Sequence, residues 1–375
     1  EDRENEGDLV IAAEFATMEN INFMVKEARG IVCTPMLAAD LERLGIDQMV
    51  EKNTDNHETA FTVTVDHVTA TTGVSPYERA LTIRALIADN ARPEDFRRPG
   101  HVFPLRYKEG GALVRQGHTE ASIDLCRLAG LKEASVICEI TKDDGSMARL
   151  DDLLAFADKH GLKVASVADL IEYRKIHEPL IKLAADANMP TKYGDFHIYV
   201  FKNDLDHKEH LAIVKGDVKD GEDVLVRVHS ECLTGDVFGS KRCDCGEQLA
   251  NALTTIEKAG RGVVVYMRQE GRGIGLTNKI KAYALQEQGL DTVEANVELG
   301  FPADMREYSL AAQIIRYLGI KSIKLLTNNP SKKENLEHWG IQVDKRVPVI
   351  VKANSVNAAY LRTKKEKMGH LFDQI

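Results

Sequence analysis

The chain has 375 residues, 43% of them hydrophobic and 29% charged, which suits about two globular domains with ordinary cores. Its net charge of −9 excludes the broad basic face that non-specific nucleic-acid binding needs, but not a single anion held by a local arginine cluster. No apolar run approaches the roughly 20 residues that span a bilayer, and no basic-then-apolar leader opens the chain, so a cytoplasmic setting is expected. Six cysteines in a chain this long, three of them clustered, fit a reducing compartment and a metal better than a disulfide framework.

The chain opens on Glu1 rather than Met, which leads us to expect a short preceding segment. Its first eight residues hold five acids and read, on composition, as a solvated terminus. The apolar run at 9–13 predicts a strand or a core helix piece, and the alternation from Phe61 to Val65 predicts a strand. Ser75 and Pro76 open a helix with proline in its first turn. RPGHVFPL (98–105) and RQGHTEAS (115–122) each place a histidine after a glycine; a lone histidine of this kind is more often a structural hydrogen-bonder than a ligand. The run at 134–140 predicts a buried strand that carries Glu139, a carboxylate needing a partner, a metal or a catalytic task. A helix at 151–160 is closed by Gly161. The charged, helix-like stretch 171–196, ending in a proline and a glycine, reads as the connection between domains 1–174 and 175–375.

The second half predicts strands at 197–201, 210–216, 223–230, 262–267 and 321–327, alternating with helices after the cysteine loop, after residue 276 and at 309–319. This alternation implies layered α/β architecture with a largely covered sheet. The expected fold class is α/β, or mixed α+β, in two domains, each a three-layer arrangement around a mixed sheet.

Cys232, Cys243 and Cys245 carry the strongest chemical signal. Three thiols at this spacing resemble three corners of a tetrahedral zinc site, and no fourth protein ligand stands nearby; a catalytic zinc keeps one corner for water. Three buried structural cysteines, or a closed zinc with a distant histidine, are the alternatives. RQEGRGIGL (268–276) matches neither a dinucleotide fingerprint nor a P-loop, but it puts Arg268, Glu270 and Arg272 at a strand-to-helix turn, where backbone N–H groups and guanidinium forks suit phosphate. Asp304 and Arg306 precede a helix, and Thr327, Asn328, Asn329 and Lys332 follow a strand; alone, each reads as a surface pair, cap or turn.

Taken together, RVHSECLTGDVFGSKRCDCG, RQEGRGIGL, the Asp304 and Arg306 segment and LLTNNPSK resemble the GTP cyclohydrolase II family of riboflavin biosynthesis, from about residue 191 to the end. The resemblance implies hydrolysis of GTP to a diaminopyrimidinone riboside phosphate with release of formate and pyrophosphate. It implies zinc on Cys232, Cys243 and Cys245, with magnesium or manganese accompanying the triphosphate. Tyr283 would assist at the ring, Asp304 would accept a proton, and Arg306 would act at the α-phosphate. GTP contacts would come from Arg227, Val228, His229, Ser230, Glu231, Gln248, Glu270, Gly271, Arg272, Thr292, Thr327 and Lys332.

RENEGD, RPGHVFPL, RQGHTEA, ICEI and DDGSMARL, in that order over about 1–174, resemble the 3,4-dihydroxy-2-butanone 4-phosphate synthase family. This resemblance implies conversion of ribulose 5-phosphate to the butanone phosphate plus formate, with Mg²⁺ or Mn²⁺ on Glu4 and His118. Arg3, Glu4, Asp8, Arg115, Gln116, Gly117, His118, Thr119 and Glu139 would contact substrate, and His101 and Glu139 would be essential to the reaction. Two departures stand out. The strand that precedes RENEGD in the family is missing, so an incomplete first domain with a weakly anchored Glu4 is expected, and Glu78 stands where aspartate is the norm. Both resemblances on one chain imply a bifunctional, homodimeric riboflavin biosynthesis enzyme acting on two small molecules, without nucleic acid or membrane partners. The rival readings are a chain with one working domain and a non-catalytic zinc module that binds nucleotide or RNA.

Overall fold

The computed structural model describes residues 5–371 except 204, 207, 303, 350, 352, 353 and 355, and omits the side chains of 359 and 368. Two compact units emerge, Glu1–Arg174 and Lys175–Ile375. Each holds its own mixed sheet. No helix among the described residues is long and apolar enough to cross a membrane.

The first unit runs β1 (Asp8–Ala12), α1 (Met18–Phe23), β2 (Cys33–Met36), α2 (Ala38–Arg43), β3 (Val65–His67), α3 (Pro76–Leu86), β4 (Phe96–Arg106), α4 (His118–Leu128), β5 (Ser135–Glu139) and α5 (Leu150–His160). Helix α6 (Val167–His177) carries the chain out of it. The strand order is β1-β5-β2-β4-β3, with only β2 and β4 parallel. Side chains alternate across β5. Val136 and Cys138 join a core with Ile21 of α1 and Ile83 and Leu86 of α3. Ser135 faces the other way and meets Ser122 of α4 through its hydroxyl at 2.7 Å. Glu139 shares the parity of Ser135, and Asp8 lies directly opposite Glu139 in the antiparallel ladder, so both point to the α4 side. At the start of α3, Ser75 Oγ accepts from Glu78 N, as the Ser-Pro pair predicts.

The alternation at 61–65 forms less strand than expected. Only Val65 enters β3, while Phe61 and Thr62 make isolated bridges to Leu105 and Gln48. Thr62 donates to the carbonyl of Pro104, and proline has no N–H to return the bond, so the ladder cannot continue there.

The second unit runs β6 (Ile181–Thr191), β7 (Gly194–Asn203), β8 (His210–Lys215), β9 (Val224–Ser230), α7 (Leu233–Asp236), α8 (Cys245–Ala259), β10 (Gly262–Met267), α9 (Gly275–Glu287), α10 (Thr292–Glu298), α11 (Ser309–Tyr317), β11 (Ser322–Leu326), α12 (Pro330–His338), β12 (Gln342–Val347) and α13 (Ala358–Met368). The strand order is β12-β11-β9-β10-β8-β7-β6. The first four are parallel and the last three antiparallel. Val263, Val265 and Met267 of β10 pack with Ile314 and Ile315 of α11, whereas Val264 packs with Ala252 and Ile256 of α8. Alternation thus puts one helix layer on each face, giving three layers.

The stretch 171–196 is not one helix-like connection. Helix α6 stops at His177, and Ile181–Thr191 is an edge strand paired with β7 along its length. Its alanines favour helix, but hairpin pairing overrides local propensity. Its exposed Lys182, Asp186 and Pro190 are the residue types that keep a sheet edge from recruiting another strand. Trp339, the only tryptophan, packs against the α11 core, so its fluorescence reports this unit. Ile314→Ala should lower the denaturation midpoint seen by Trp339, at a cost of about 2–5 kcal/mol for a fully buried side chain. An unchanged midpoint would mean that α11 is not part of the cooperative core.

Candidate active sites

Ligands of open parallel sheets bind beyond the carboxyl ends of the strands. In the second unit the cysteine turn follows β9, the glycine–arginine loop follows β10, and Thr327, Asn328 and Asn329 follow β11. All three contribute walls to one cleft.

Cys232, Cys243 and Cys245 bring their sulfurs within 4.8 Å of one another, and Cys232 and Cys243 are 3.6 Å apart. Zn–S bonds of ~2.3 Å in a tetrahedron put sulfurs about 3.8 Å apart, so the trio fits a thiolate-held divalent metal. No fourth His, Cys, Asp or Glu joins them among the described residues. Gly235 makes the approach possible: a Cβ there would lie 2.8 Å from the Cys243 sulfur and 3.1 Å from that of Cys232. Hydrogen bonds from Cys243 and Cys245, with the Lys279 ammonium beside them, hold the Cys232 thiol well below the usual thiol range.

Buried acids pin this turn. Asp236 accepts from Cys232 N and Tyr266 Oη, each at 2.9 Å, and meets His229 Nε2 at 3.1 Å. Glu270 accepts from Leu233 N at 2.6 Å and from Lys279 Nζ at 2.7 Å. Lys279 Nζ also lies 3.1 Å from Cys232 Sγ and 3.0 Å from Thr234 Oγ1. The Tyr283 hydroxyl reaches Thr234 Oγ1 at 3.4 Å, and the Arg242 guanidinium sits 5.0 Å from the Tyr283 ring centre.

The same cleft collects buried cations. Arg227 donates to Leu326 O at 2.9 Å and Gln248 Oε1 at 2.5 Å. Lys332 donates to Val228 O at 2.9 Å. Burial, then Arg227 and Arg306 nearby, push Lys332 well below the usual ammonium range. Burial and the cations Lys364, Lys332 and Arg306 bring His370 down to about 3. These are groups that an anion would relieve of mutual repulsion. Arg306 is clamped by Asp304, with Nε 2.8 Å from Oδ1. Gly273, at φ +97°, allows the glycine–arginine loop to lie on this segment, since a Cβ there would fall 2.9 Å from Met305 O. Met305 N completes the contact by donating to Arg272 O at 3.0 Å.

In the first unit, His118 at the start of α4 places Nδ1 3.1 Å from the buried carboxylate of Asp8. Glu139 Oε2 accepts from Ile31 N at 2.8 Å, and Gly30 leaves it room, since a Cβ there would lie 2.5 Å away. Burial pushes the Glu139 carboxyl up. His101 donates its backbone N–H to Asp66 Oδ1 at 2.9 Å and sets Nδ1 2.7 Å from Oδ2. Arg115 binds Glu120 at 2.6 Å and His57 O at 2.9 Å, crossing Gly117, where a Cβ would fall 2.3 Å from its Nη1. Glu78 accepts from Thr71 Oγ1 at 2.7 Å and Gly73 N at 3.0 Å, so the longer acid closes the loop at 71–75.

A family model for 3,4-dihydroxy-2-butanone 4-phosphate synthase matches residues 1–173, and one for GTP cyclohydrolase II matches residues 182–348. A riboflavin biosynthesis protein RibBA from Bacillus cereus is 55% identical over 100% of this chain and 94% of its own, and one from Bacillus mycoides is equally similar over the same shares. The chain belongs to the bifunctional riboflavin biosynthesis protein family. It unites a lyase, the butanone phosphate synthase, with a hydrolase, the GTP cyclohydrolase II. The fold agrees with a solved structure of RibBX, a two-domain 3,4-dihydroxy-2-butanone 4-phosphate synthase from A. baumannii. That protein is 37% identical with a TM-score of 0.68, covering 92% of this chain and 93% of its own.

Set against the residues singled out by the family resemblance, the cleft of the second unit gathers Arg227, His229, Ser230, Glu231, Gln248, Glu270, Gly271, Arg272, Tyr283, Thr292, Arg306, Thr327 and Lys332 around the thiols. Val228 is different: its side chain lies in the core, and its carbonyl binds Lys332. Asp304 stands behind Arg306. In the first unit, Asp8, His118 and Glu139 share one side of the sheet. Gln116 and Gly117 lead into α4 and Thr119 is buried in its first turn. Arg3 and Glu4 lie outside the described residues. Sequence reasoning missed Asp66, Glu120, Asp236, Asp244, Lys279, Tyr360, Lys364 and His370. Asp236 and Asp244 sit inside the cysteine motif and were readable there as partners of the turn; the C-terminal residues carried no local signal.

Burial makes ionised Glu139 unfavourable to the fold. A carboxyl with a raised folded pKa stabilises below its unfolded pKa and loses that contribution as pH rises through the folded value. Glu139→Gln should therefore raise the calorimetric midpoint of the first unit more at pH 7.5 than at pH 4.5, while impairing synthesis of the butanone phosphate. Equal gains at both pH values would show that the charge of Glu139 carries no folding cost.

Proposed function

We propose that residues 175–375 hydrolyse GTP to 2,5-diamino-6-ribosylamino-4(3H)-pyrimidinone 5′-phosphate, formate and pyrophosphate, and that residues 1–174 convert ribulose 5-phosphate to 3,4-dihydroxy-2-butanone 4-phosphate and formate. The observation that carries the first reading is the convergence of three thiols and several buried cations in one cleft. Zinc on Cys232, Cys243 and Cys245 would supply a water of near-neutral pKa beside the guanine. Arg227, Lys332 and Arg306 bind and orient the triphosphate, with Mg²⁺ or Mn²⁺ on its oxygens. Tyr283, held at Thr234, orients the purine, and Asp304, kept ionised by Arg306, accepts a proton. A guanidinium does not give up its proton, so Arg306 stabilises phosphoryl charge rather than attacking phosphorus. Both oxygens of Glu270 are engaged by Leu233 and Lys279, which suits a carboxylate that presents the loop to guanine.

In the first unit His118 and Glu4 would hold Mg²⁺ or Mn²⁺, which would supply polarisation of the ketose oxygens. Asp8, 3.1 Å from Nδ1 of His118, would help orient the ring towards that metal. Asp66 likewise orients His101 for proton transfer, and the raised Glu139 exchanges protons nearer neutral pH than an ordinary carboxylate. Arg115 and Thr119 hold the substrate phosphate. The enzyme works as a cytoplasmic homodimer.

A second reading, one active unit, is favoured by the A. baumannii relative, a two-domain 3,4-dihydroxy-2-butanone 4-phosphate synthase. Two variants separate these. Cys243→Ser should abolish formate and pyrophosphate release from GTP, by more than about 10³-fold for loss of an activated water, and leave butanone phosphate synthesis near wild type. His118→Ala should show the reverse pattern. Wild-type protein loaded with zinc that binds GTP but leaves it intact would sink the cyclohydrolase half.

A further inference from the structure

Helix α13 lies beyond the stretch matched by the cyclohydrolase family model, which ends at residue 348. Its sequence, AAYLRTKKEKM, looks like an ordinary charged helix. One of its lysines is nonetheless buried: Lys364 is 7% exposed and sets Nζ 2.7 Å from Oδ1 of Asp244, itself 1% exposed. Asp244 is the residue between the thiols of Cys243 and Cys245, immediately before α8, and its side chain makes no capping bond to that helix. Its other oxygen accepts from Gln248, which in turn accepts from Arg227.

The same segment docks at two more places around the cleft. After the left-handed Gly369, Leu371 N donates to Asn328 O at 2.8 Å, on the turn that follows β11. Lys367 pairs with Asp291 and, at 2.9 Å, with Glu294, at the start of α10 beside Thr292. Tyr360, Lys364 and His370 themselves line the cleft. One short piece of chain therefore ties together the metal turn, the turn after β11 and the entry to α10.

We propose that residues 358–371 form a clasp that holds the turn bearing Cys243 and Cys245 in its metal-binding shape, with Lys364 as the positioning residue acting through Asp244. The clasp rests on the reading of the three thiols as a metal site in a GTP cleft. Lysine and aspartate are rarely this buried unless paired, and removing one leaves the other charged in the interior. Without Lys364, Asp244 gains most by turning to water, and that motion spreads the two thiols on either side of it.

The test uses the full-length chain with Lys364→Met, Lys364→Arg and Asp244→Asn. In the reduced, metal-free proteins, alkylation of each cysteine is timed by mass spectrometry. In the zinc-loaded proteins, loss of metal to a chromophoric chelator is timed, and kcat and KM for GTP are measured. Lys364→Met should speed alkylation of Cys243 and Cys245, but not of Cys33, Cys126 or Cys138, and should speed zinc loss about 10–100-fold, the usual effect of losing an outer-shell partner. kcat for GTP should fall more than KM rises, Lys364→Arg should recover part of both losses, and butanone phosphate synthesis should be unchanged. If Lys364→Met unfolds the second unit by Trp339 fluorescence, Asp244→Asn keeps the shape and should give the same labelling pattern. Unchanged alkylation and zinc-loss rates in folded Lys364→Met or Asp244→Asn protein would overturn the clasp. Faster alkylation in a protein whose wild type leaves GTP intact would support the clasp and remove the cyclohydrolase reading instead.

Discussion

Three buried carboxylates hold the cysteine turn, and the second unit's chemistry depends on them. Asp236 gathers Cys232 N, His229 and Tyr266; Glu270 gathers Leu233 N and Lys279; Asp244 gathers Gln248 and Lys364. The need is electrostatic. Thiols brought within 4.8 Å repel one another once ionised, and only a backbone pinned from several sides keeps them converged. Removing one member of a buried charged pair costs about 3–5 kcal/mol. An exposed pair such as Lys333 with Glu337 contributes less than about 1 kcal/mol. The few buried acids therefore outweigh the many surface ion pairs in deciding the shape of the site.

The cations answer to the opposite constraint. Arg227 and Lys332 are buried, with the partly buried Arg306 nearby, and burial followed by these two guanidinium charges pushes Lys332 well below the usual ammonium range. Such an arrangement is tolerable because the strands of the three-layer sheet hold it in place, and an anion would relieve its repulsion. The first unit uses a smaller version of the same idea. Asp8 and Glu139 face each other across an antiparallel pair, and His118 is brought to them by α4 on that face of the sheet. Burial disfavours charge on Glu139, a setting in which a divalent cation is welcome.

Local patterns carried the fold wherever one strand or helix buried one face. The strands at β5, β7, β8, β9 and β10 are continuous apolar or alternating runs, and α3 and α5 are marked by Ser75, Pro76 and Gly161. Local patterns misled where partners decided the outcome. The alanines of Ile181–Thr191 read as helix, yet pairing with β7 made a strand. The FTVTV alternation read as a full strand, yet Pro104 across from it withheld a donor.

Sequence alone pointed to a metal through three closely spaced thiols and to an anion through a glycine–arginine loop, because residue type and short spacing limit what a group can bind; the two histidine motifs gained a role only through the family resemblance. Tertiary structure decided which distant groups stand behind them. Asp66 under His101, Lys279 against Cys232, and Lys364 against Asp244, 120 positions away, are pairings set by how layers of helix and sheet close on one another. No periodicity records such a meeting: a lysine in a charged helix looks solvated until the fold removes the water around it.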